Sequence, residues 1–263
     1  MLAPTRSSAL NQPPPNGHWN VRDEFSLSSL KQVSLFKKLS PQELKMVSEV
    51  IKRRTLNPDD LLVAEDGLDN SLFLIMEGAF KITVRKGEGT VLLGLSGRGE
   101  LLGELAAIDG HARSATVTAQ TPCVVGVLSA SNFWGTVWPL APIPVNMAHL
   151  LAGRIRRLTA KVQAMATLDV RGRLAFQMVS LARDHGELQK EDVGHLIPFG
   201  LTQAELAQMV GTSRVQVNQL MISWARNGIL TSKRSSIMVH RLDLLCQMFP
   251  SSLESVIPDR SAR

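Results

Sequence analysis

The sequence reads Gly99-Glu100-Leu101-Leu102-Gly103-Glu104-Leu105 and, a short piece later, Arg113-Ser114-Ala115-Thr116-Val117. This stretch places the Glu104 carboxylate and the Arg113 guanidinium nine residues apart, with a glycine just before the carboxylate. The intervening piece is long enough for one helical turn and a bend. That layout can hold a small anionic sugar phosphate. The remaining sequence is consistent with a protein that responds to the presence of this ligand.

Length and composition indicate a folded protein with a basic balance. The 263 residues fit one large domain or two ordinary ones, and a hydrophobic content of 44% with 20% charged residues can build a proper core. The formal charge of +6 suggests a nucleic acid or another anionic surface as partner, although an ordinary basic protein has the same balance.

The two cysteines, Cys123 and Cys246, lie far apart in apolar surroundings. They have no metal-binding spacing and form no disulfide framework, so we expect a reducing compartment, the cytoplasm, and no metal. No apolar run approaches the roughly 18 residues of a membrane span, and no apolar core follows Arg6 as in a secretory signal. We therefore expect no membrane partner.

Short apolar strings separated by glycine turns flank the opening stretch on both sides, for example Leu72–Met76 and Phe80–Val84. This spacing predicts an antiparallel barrel or sandwich. Before it, residues 1–24 are rich in proline and predict a disordered tail. Ser40-Pro41-Gln42-Glu43 predicts a capped helix start.

A long helix is predicted after the prolines at 139–144. Its apolar residues follow steps of 4, 4, 3, 4 and 3, as in a coiled-coil seam: Met147, Leu151, Ile155, Leu158, Val162 and Met165. The helix could pack on its own barrel or pair with a second copy. We favour a dimer helix, because it is long and lies between two folded units.

Residues 201–241 have the pattern of a helix-turn-helix followed by a wing. Thr202-Gln203-Ala204-Glu205 is a second capping box, Gly211 suits the tight turn, and Ser213 begins the next helix. A hairpin with a basic tip at Lys233-Arg234 follows, and residues 172–241 carry more basic than acidic side chains. This combination favours DNA binding, since phosphate contacts supply much of the affinity.

In their order and spacing, these motifs resemble the cyclic-AMP receptor protein and fumarate–nitrate regulator (CRP/FNR) superfamily of bacterial transcription factors. The resemblance covers roughly residues 27–241. Its markers are Glu65-Asp66-Gly67, Asp69-Asn70-Ser71-Leu72-Phe73, Gly103-Glu104-Leu105, Arg113-Ser114-Ala115, Leu168–Leu174 and the helix-turn-helix at 202–226.

The resemblance implies an α+β fold: an N-terminal antiparallel β-roll (a cyclic-nucleotide-binding jelly roll), a long central dimerisation helix and a C-terminal winged helix-turn-helix. The expected boundaries are a tail at 1–24, the β-roll at 25–138, the dimerisation helix at 139–168, the DNA-binding domain at 169–241 and an extension at 242–263.

The resemblance also implies an allosteric ligand, cAMP first and cGMP second, with no required cofactor. Glu104 would accept from the ribose hydroxyl and Arg113 would pair with the cyclic phosphate. The implied binding residues are Leu102, Gly103, Glu104, Leu105, Arg113, Ser114, Ala115, Leu158 and Thr159. Leu158 replaces one of the two hydroxyl residues with which the family reads the base, so the base preference stays open.

The implied partners are a second copy of the chain, RNA polymerase and a two-fold symmetric DNA site. Arg214 would read guanine, Val215 could touch a thymine methyl and Gln219 could read adenine. The full set of expected DNA contacts is Thr202, Ser213, Arg214, Val215, Gln216, Asn218, Gln219, Lys233 and Arg234. The last two residues lie in the wing.

The sequence thus favours a dimeric transcription regulator controlled by a cyclic nucleotide, and not an enzyme. A first alternative is the same architecture with another effector, such as haem held by His18, His111 or His149, or with none. A second is an enzyme or regulatory subunit that borrows the nucleotide barrel. No nucleophile–base constellation supports the second alternative.

Overall fold

The computed structural model describes residues 25–189, 194–233 and 235–257, which divide into two compact units. The first unit comprises the chain up to Phe80 together with Arg98–Ile143, and the second comprises Lys81–Gly97 together with Pro144–Arg263. The predicted disordered tail at 1–24 lies outside the described residues, as do Lys190 to Val193, Arg234 and the last six residues.

Eight short strands form the antiparallel β-roll. They are β1 (Lys52–Leu56), β2 (Leu61–Val63), β3 (Leu72–Glu77), β4 (Ala79–Lys86), β5 (Gly89–Gly97), β6 (Leu101–Leu102), β7 (Thr116–Ala119) and β8 (Cys123–Leu128). One sheet has the order β1-β8-β3-β6 and a second has the order β2-β7-β4-β5. Strand β4 begins in the first unit and continues into the second.

Four short α-helices accompany these strands in the described part of the first unit. They are α1 (Leu27–Lys31), α2 (Pro41–Val50), α3 (Glu104–Asp109) and α4 (Ala130–Asn132), with a π-helical turn at Phe133–Val137 after α4. The predicted capping box at Ser40 is confirmed, since its hydroxyl accepts from the Glu43 backbone N–H and the Glu43 carboxylate accepts from the Ser40 N–H. Leu74, Phe80 and Leu128 are fully buried in the core.

The second unit begins its helical part with α5 (Pro142–Thr167), of which the first two residues still belong to the first unit. The other helices are α6 (Val170–His185), α7 (Gln203–Val210), α8 (Arg214–Arg226), α9 (Leu242–Cys246) and α10 (Ser251–Glu254). Its strands are β9 (Glu187–Leu188), β10 (His195–Ile197), β11 (Leu230–Lys233) and β12 (Ser236–Val239), in the order β11-β12-β10-β9. The predicted fold class, a β-roll, a long helix and a winged helix-turn-helix, is confirmed.

The segment after the wing packs back onto α6. Leu245 is fully buried, and the rings of Phe176 and Phe249 meet edge to face at 5.6 Å between centroids. Arg183 Nη2 donates to Glu254 Oε1 at 2.5 Å. The described part of the predicted extension therefore forms part of the core of the second unit.

No helix among the described residues is long and apolar enough to cross a membrane. No three histidine, cysteine, aspartate or glutamate side chains among them come together as ligands for a metal ion.

We predict that Leu74→Ala destabilises the first unit by about 2–5 kcal/mol, because the deletion leaves a cavity in a close-packed core. Leu74 is 0% exposed at the centre of β3. Leu68→Ala is the matched control, since Leu68 is 84% exposed and should change stability by less than about 0.5 kcal/mol. Urea unfolding followed by circular dichroism measures both, and equal midpoints for the two variants would contradict this packing.

Candidate functional site

The opening stretch folds into a glycine turn followed by the short helix α3. Gly103 has φ +79, a left-handed conformation that favours glycine, and precedes Glu104, the first residue of the helix. A Cβ atom at Gly103 would lie 2.6 Å from the Ser71 carbonyl oxygen and closer still to Arg113 Nη1. The glycine is therefore required by close packing as well as by the backbone conformation.

Arg113 is buried and held by three acceptors of the first unit. Its Nη1 donates to the Gly103 carbonyl oxygen at 3.0 Å, and its Nη2 donates to the Ser71 carbonyl oxygen at 2.6 Å and to Asp69 Oδ2 at 3.2 Å. The guanidinium carbon lies 5.4 Å from the centroid of the Phe73 ring. Arg113 and Glu104 are each only 4% exposed.

The loop before β3 fixes this arrangement. Asp69 Oδ1 accepts from both the backbone N–H and the hydroxyl of Ser71, at 3.0 and 2.8 Å. The Arg113 N–H donates to the Gly67 carbonyl oxygen, and the Asp66 N–H donates to the Arg113 carbonyl oxygen, each at 2.9 Å. The loop and the Arg113 segment are thus joined through both main chain and side chains.

The Nε atom of Arg113 is buried and has no hydrogen-bond partner among the described residues. A guanidinium offers five N–H donors in a fixed planar fork that suits phosphate. Arg113 thus combines a full positive charge, a fixed orientation and an unused donor. That combination is chemically suited to an anion such as a phosphate.

A cavity of about 420 Å³ lies against Arg113 in the first unit. Arg54, Asp60 and Asp69 also line it. Burial lowers the pKa of Arg54, while the nearby carboxylates of Asp60 and Asp69 act to raise it. Of the residues predicted to bind the ligand, Arg113 lines this cavity, whereas the side chains of Leu105 and Ser114 are exposed and Leu102 is buried.

Leu158 and Thr159, the predicted base-reading residues, lie on α5 in the second unit. Both are exposed, as are further apolar residues of the predicted seam. The exposed fractions are 64% for Ile155, 63% for Leu158, 68% for Val162 and 39% for Met165. We call these four residues the apolar stripe of α5.

The predicted seam requires a correction at its start. Met147 is buried within its own chain and Leu151 is half-buried, so neither is a free apolar residue of the monomer. Ala160 and Ala164 are buried on another face of the same helix. The apolar stripe therefore begins at Ile155, about two turns later than the sequence pattern predicts.

The helix-turn-helix consists of α7 and α8. Thr202 caps α7 together with Glu205, and Ser213 caps α8 through the Gln216 backbone N–H at 3.3 Å. Gly211 has φ +63 in the turn, where a Cβ atom would lie 2.7 Å from Met165 Cε. The two capping sites and the turn glycine thus have the geometry that the sequence predicts for them.

Helix α8 buries one face and exposes the other. Val217, Met221 and Trp224 are buried against the second unit, and Leu220 is half-buried. Among the predicted DNA contacts, the exposed side chains are Thr202, Ser213, Arg214, Val215, Gln216, Gln219 and Lys233. Arg234 lies outside the described residues.

Asn218 is less available for contact with DNA than its sequence position predicts. Its Oδ1 accepts a hydrogen bond from Gln203 Nε2 at 2.8 Å, which joins α8 to the first turn of α7. The Gln216 side chain likewise accepts from the Thr212 hydroxyl. These two polar residues therefore have structural partners within the helix-turn-helix.

Several residues that organise these sites are not predicted from the sequence. Asp69 and Ser71 hold Arg113, and Gln203 orients Asn218. The sequence contains the motif Asp69-Asn70-Ser71, but nothing in it indicates that Asp69 pairs with Arg113, 44 residues later. Among the haem candidates, His111 is exposed beside Asp109, His149 is exposed, and His18 lies outside the described residues.

Comparison with known proteins matches two parts of the chain to family models. Residues 53–137 match the cyclic nucleotide-binding domain, and residues 172–248 match the Crp-like helix-turn-helix domain. These two ranges contain the Arg113 site and the α7–α8 pair, respectively.

Similar proteins include two curated relatives. The chain is 26% identical to the Cyclic AMP receptor protein of Thermus thermophilus over 217 residues, which cover 82% of this chain and 96% of the relative. It is 27% identical to the cAMP-activated global transcriptional regulator CRP of Salmonella typhimurium over 172 residues, which cover 65% of this chain and 80% of the relative.

Solved structures with the same fold include a bacterial regulator. The c-di-GMP responsive global regulator CLP of Xanthomonas campestris superposes with a TM-score of 0.63 at 20% identity, covering 76% of this chain and 99% of that one. The chain thus combines a cyclic nucleotide-binding domain with a Crp-like helix-turn-helix domain, and its curated relatives include a transcriptional regulator. It belongs to the CRP/FNR superfamily of transcription regulators.

Proposed function

We propose that this protein is an effector-controlled transcription regulator whose DNA affinity depends on a cyclic nucleotide, cAMP first and cGMP second. The observation that carries this proposal is Arg113: a buried guanidinium with an unpartnered Nε, fixed next to the α3 helix that begins with Glu104. The relative from Thermus thermophilus is named for cyclic AMP. The protein would act in the cytoplasm, together with RNA polymerase.

The ligand would bind through its phosphate first. Arg113 would donate to a phosphate oxygen through the donors that the loop leaves unused, and Ser114, which is exposed, would add a hydroxyl. Glu104 would accept from the ribose hydroxyl. Leu102, Gly103, Leu105 and Ala115 would form the surrounding walls and supply backbone donors.

We propose a homodimer formed through the apolar stripe of α5. Four large apolar side chains on one helix, three of them exposed by more than 60%, are costly to leave in water. Their spacing of 3, 4 and 3 residues is that of a coiled-coil seam. A two-fold dimer would place two recognition helices about one turn of DNA, ~34 Å, apart.

The second candidate function is the same regulator with a different effector. Leu158 stands where the family uses a hydroxyl to read the base, and CLP, which has the same fold, is described as responsive to c-di-GMP. Isothermal titration with cAMP, cGMP and c-di-GMP separates the candidates. Heat with c-di-GMP alone would replace the leading effector, and no heat with any of them would remove the cyclic nucleotide from the proposal.

We predict that Arg113→Leu lowers nucleotide affinity by about 10- to 100-fold, because a charge-assisted hydrogen bond contributes about 1.5–3 kcal/mol. Arg98→Leu is the matched control, since Arg98 is an exposed arginine of the same unit that donates to Gln32. Because Arg113 also holds Gly103 and Ser71, Arg113→Lys and a thermal melt of each variant separate lost binding from lost folding. Unchanged affinity in a folded Arg113→Leu variant would contradict the site.

We predict that Val162→Glu converts the dimer to a monomer, because it places two like charges in an apolar seam near the two-fold axis. Gln163→Glu is the control: it adds the same charge at the adjacent exposed position, outside the stripe. Sedimentation velocity distinguishes the two. A dimer that survives Val162→Glu would rule out this interface.

We predict that Arg214→Ala weakens binding to the selected site by about 1–3 kcal/mol and relaxes sequence preference at one base pair in each half-site. Lys233→Ala should weaken binding to all sequences alike and reduce the salt dependence, as a phosphate contact does. Selection from a random duplex library measures the preference. A site without two-fold symmetry would count against the dimeric regulator.

A further inference from the structure

Arg54 occupies an inward position of strand β1. Burial alternates along this strand, so that Arg54 and Leu56 are buried while Thr55 between them is exposed. Arg54 is only 7% exposed. A guanidinium at such a position needs acceptors, because a buried charge without partners is costly.

The contacts of Arg54 within the described residues satisfy this requirement only in part. Its Nη2 donates to the Leu61 carbonyl oxygen at 3.1 Å, whereas its Nε is buried and has no hydrogen-bond partner among those residues. The charges of Asp60 and Asp69 act to raise the pKa of Arg54, but burial outweighs them and lowers that pKa. The Nε donor therefore remains unused in a poorly hydrated position.

Arg54 shares this feature, and the same cavity, with Arg113. In the described part of the first unit, the buried side-chain nitrogens and oxygens without a hydrogen-bond partner are the Nε atoms of these two arginines. Both residues line the cavity of about 420 Å³. Asp69 links them, since its carboxylate accepts from Arg113 Nη2 and its charge acts on Arg54. Two buried, unused donors at one cavity indicate an anionic group that accepts from both.

Three aspartates at the same cavity limit the charge of that group. Asp60 and Asp69 already accept hydrogen bonds from the protein, and Asp59 is exposed. A ligand with several negative charges would be repelled by these carboxylates. A phosphate diester carries a single negative charge and two oxygens outside its ester bonds. It therefore offers one acceptor to each guanidinium at the lowest cost in repulsion.

We propose that Arg54 is a second anion-binding residue of the Arg113 site, and that its Nε donates to the phosphate diester of the ligand. The inference rests on the proposed function for the identity of the ligand, since a cyclic nucleotide contains such a diester. It adds a binding residue from β1 to the one that precedes β7. The contact with Leu61 would hold the Arg54 guanidinium in place while Nε binds the phosphate.

Arg54→Met tests this role in the full-length protein. The variant keeps an unbranched side chain in a buried position but removes the charge and the Nε donor. We expect about a tenfold or greater loss of cAMP affinity in isothermal titration, as for the loss of one charge-assisted hydrogen bond.

Arg53→Met is the matched control. Arg53 is the adjacent arginine of the same strand, and its guanidinium lies 5.8 Å from the centroid of the Phe25 ring. This variant should bind cAMP as the wild type does. Equal affinities of Arg53→Met and a folded Arg54→Met would overturn the inference and leave the proposed function in place.

Circular dichroism melts of each variant separate lost binding from lost folding. If Arg54→Met does not fold, Arg54→Lys decides, because it keeps the charge and lacks the Nε donor. A folded Arg54→Lys protein should bind cAMP more weakly than the wild type. Wild-type affinity in this variant would overturn donation by Nε.

A second probe separates this inference from the proposed effector if no nucleotide binds to the wild type. Dimethyl phosphate is a phosphate diester without base or ribose, and its binding can be followed by the width of its ³¹P resonance. Wild type and Arg53→Met should broaden this resonance, and Arg54→Met should not. That pattern would remove the cyclic nucleotide and support the role of Arg54, whereas the same line width with all three proteins would overturn it.

Discussion

The first unit depends on the hydrogen bonds of one buried group, the Arg113 guanidinium. A cation that is 4% exposed must be compensated by acceptors, because desolvation of an unpaired charge costs several kcal/mol. The carbonyl oxygens of Gly103 and Ser71 and the carboxylate of Asp69 provide that compensation. These acceptors come from the loop before β3 and from the turn before α3. One side chain thereby fixes the relative position of two segments that are far apart in sequence.

The same interaction explains why the glycine and the acidic loop accompany the arginine. A side chain at position 103 would occupy the space of the guanidinium, and without Asp69 the charge would lack its counter-ion. Ser114 nearby is exposed, as the proposed contact with a phosphate requires. The structural contacts of Arg113 use Nη1 and Nη2, whereas the phosphate contact that we propose would use Nε.

Much of the fold could be predicted from the sequence, because short local patterns indicate it. These patterns are the strands separated by glycine turns, the capping boxes at Ser40 and Thr202, and the turn glycine at 211. The sequence pattern does not predict strand β1, because Lys52, Arg53 and Arg54 place charges where a strand of the roll would show apolar residues. Arg54 is nevertheless buried, with Nη2 donating to the Leu61 carbonyl oxygen. Contacts such as Lys81 with Glu205, 124 residues apart, leave no local pattern at all.

The aromatic cluster after α4 has an optical consequence. Trp134 Nε1 donates to the carbonyl oxygen of Ala107 in α3 at 3.0 Å, and its ring lies 4.9 Å from that of Trp138. Indole emission responds to the hydrogen bond and to the polarity around the ring. The helix that begins with Glu104 is therefore hydrogen-bonded to an intrinsic fluorophore, Trp134. A displacement of this helix should change the tryptophan fluorescence of the unlabelled protein.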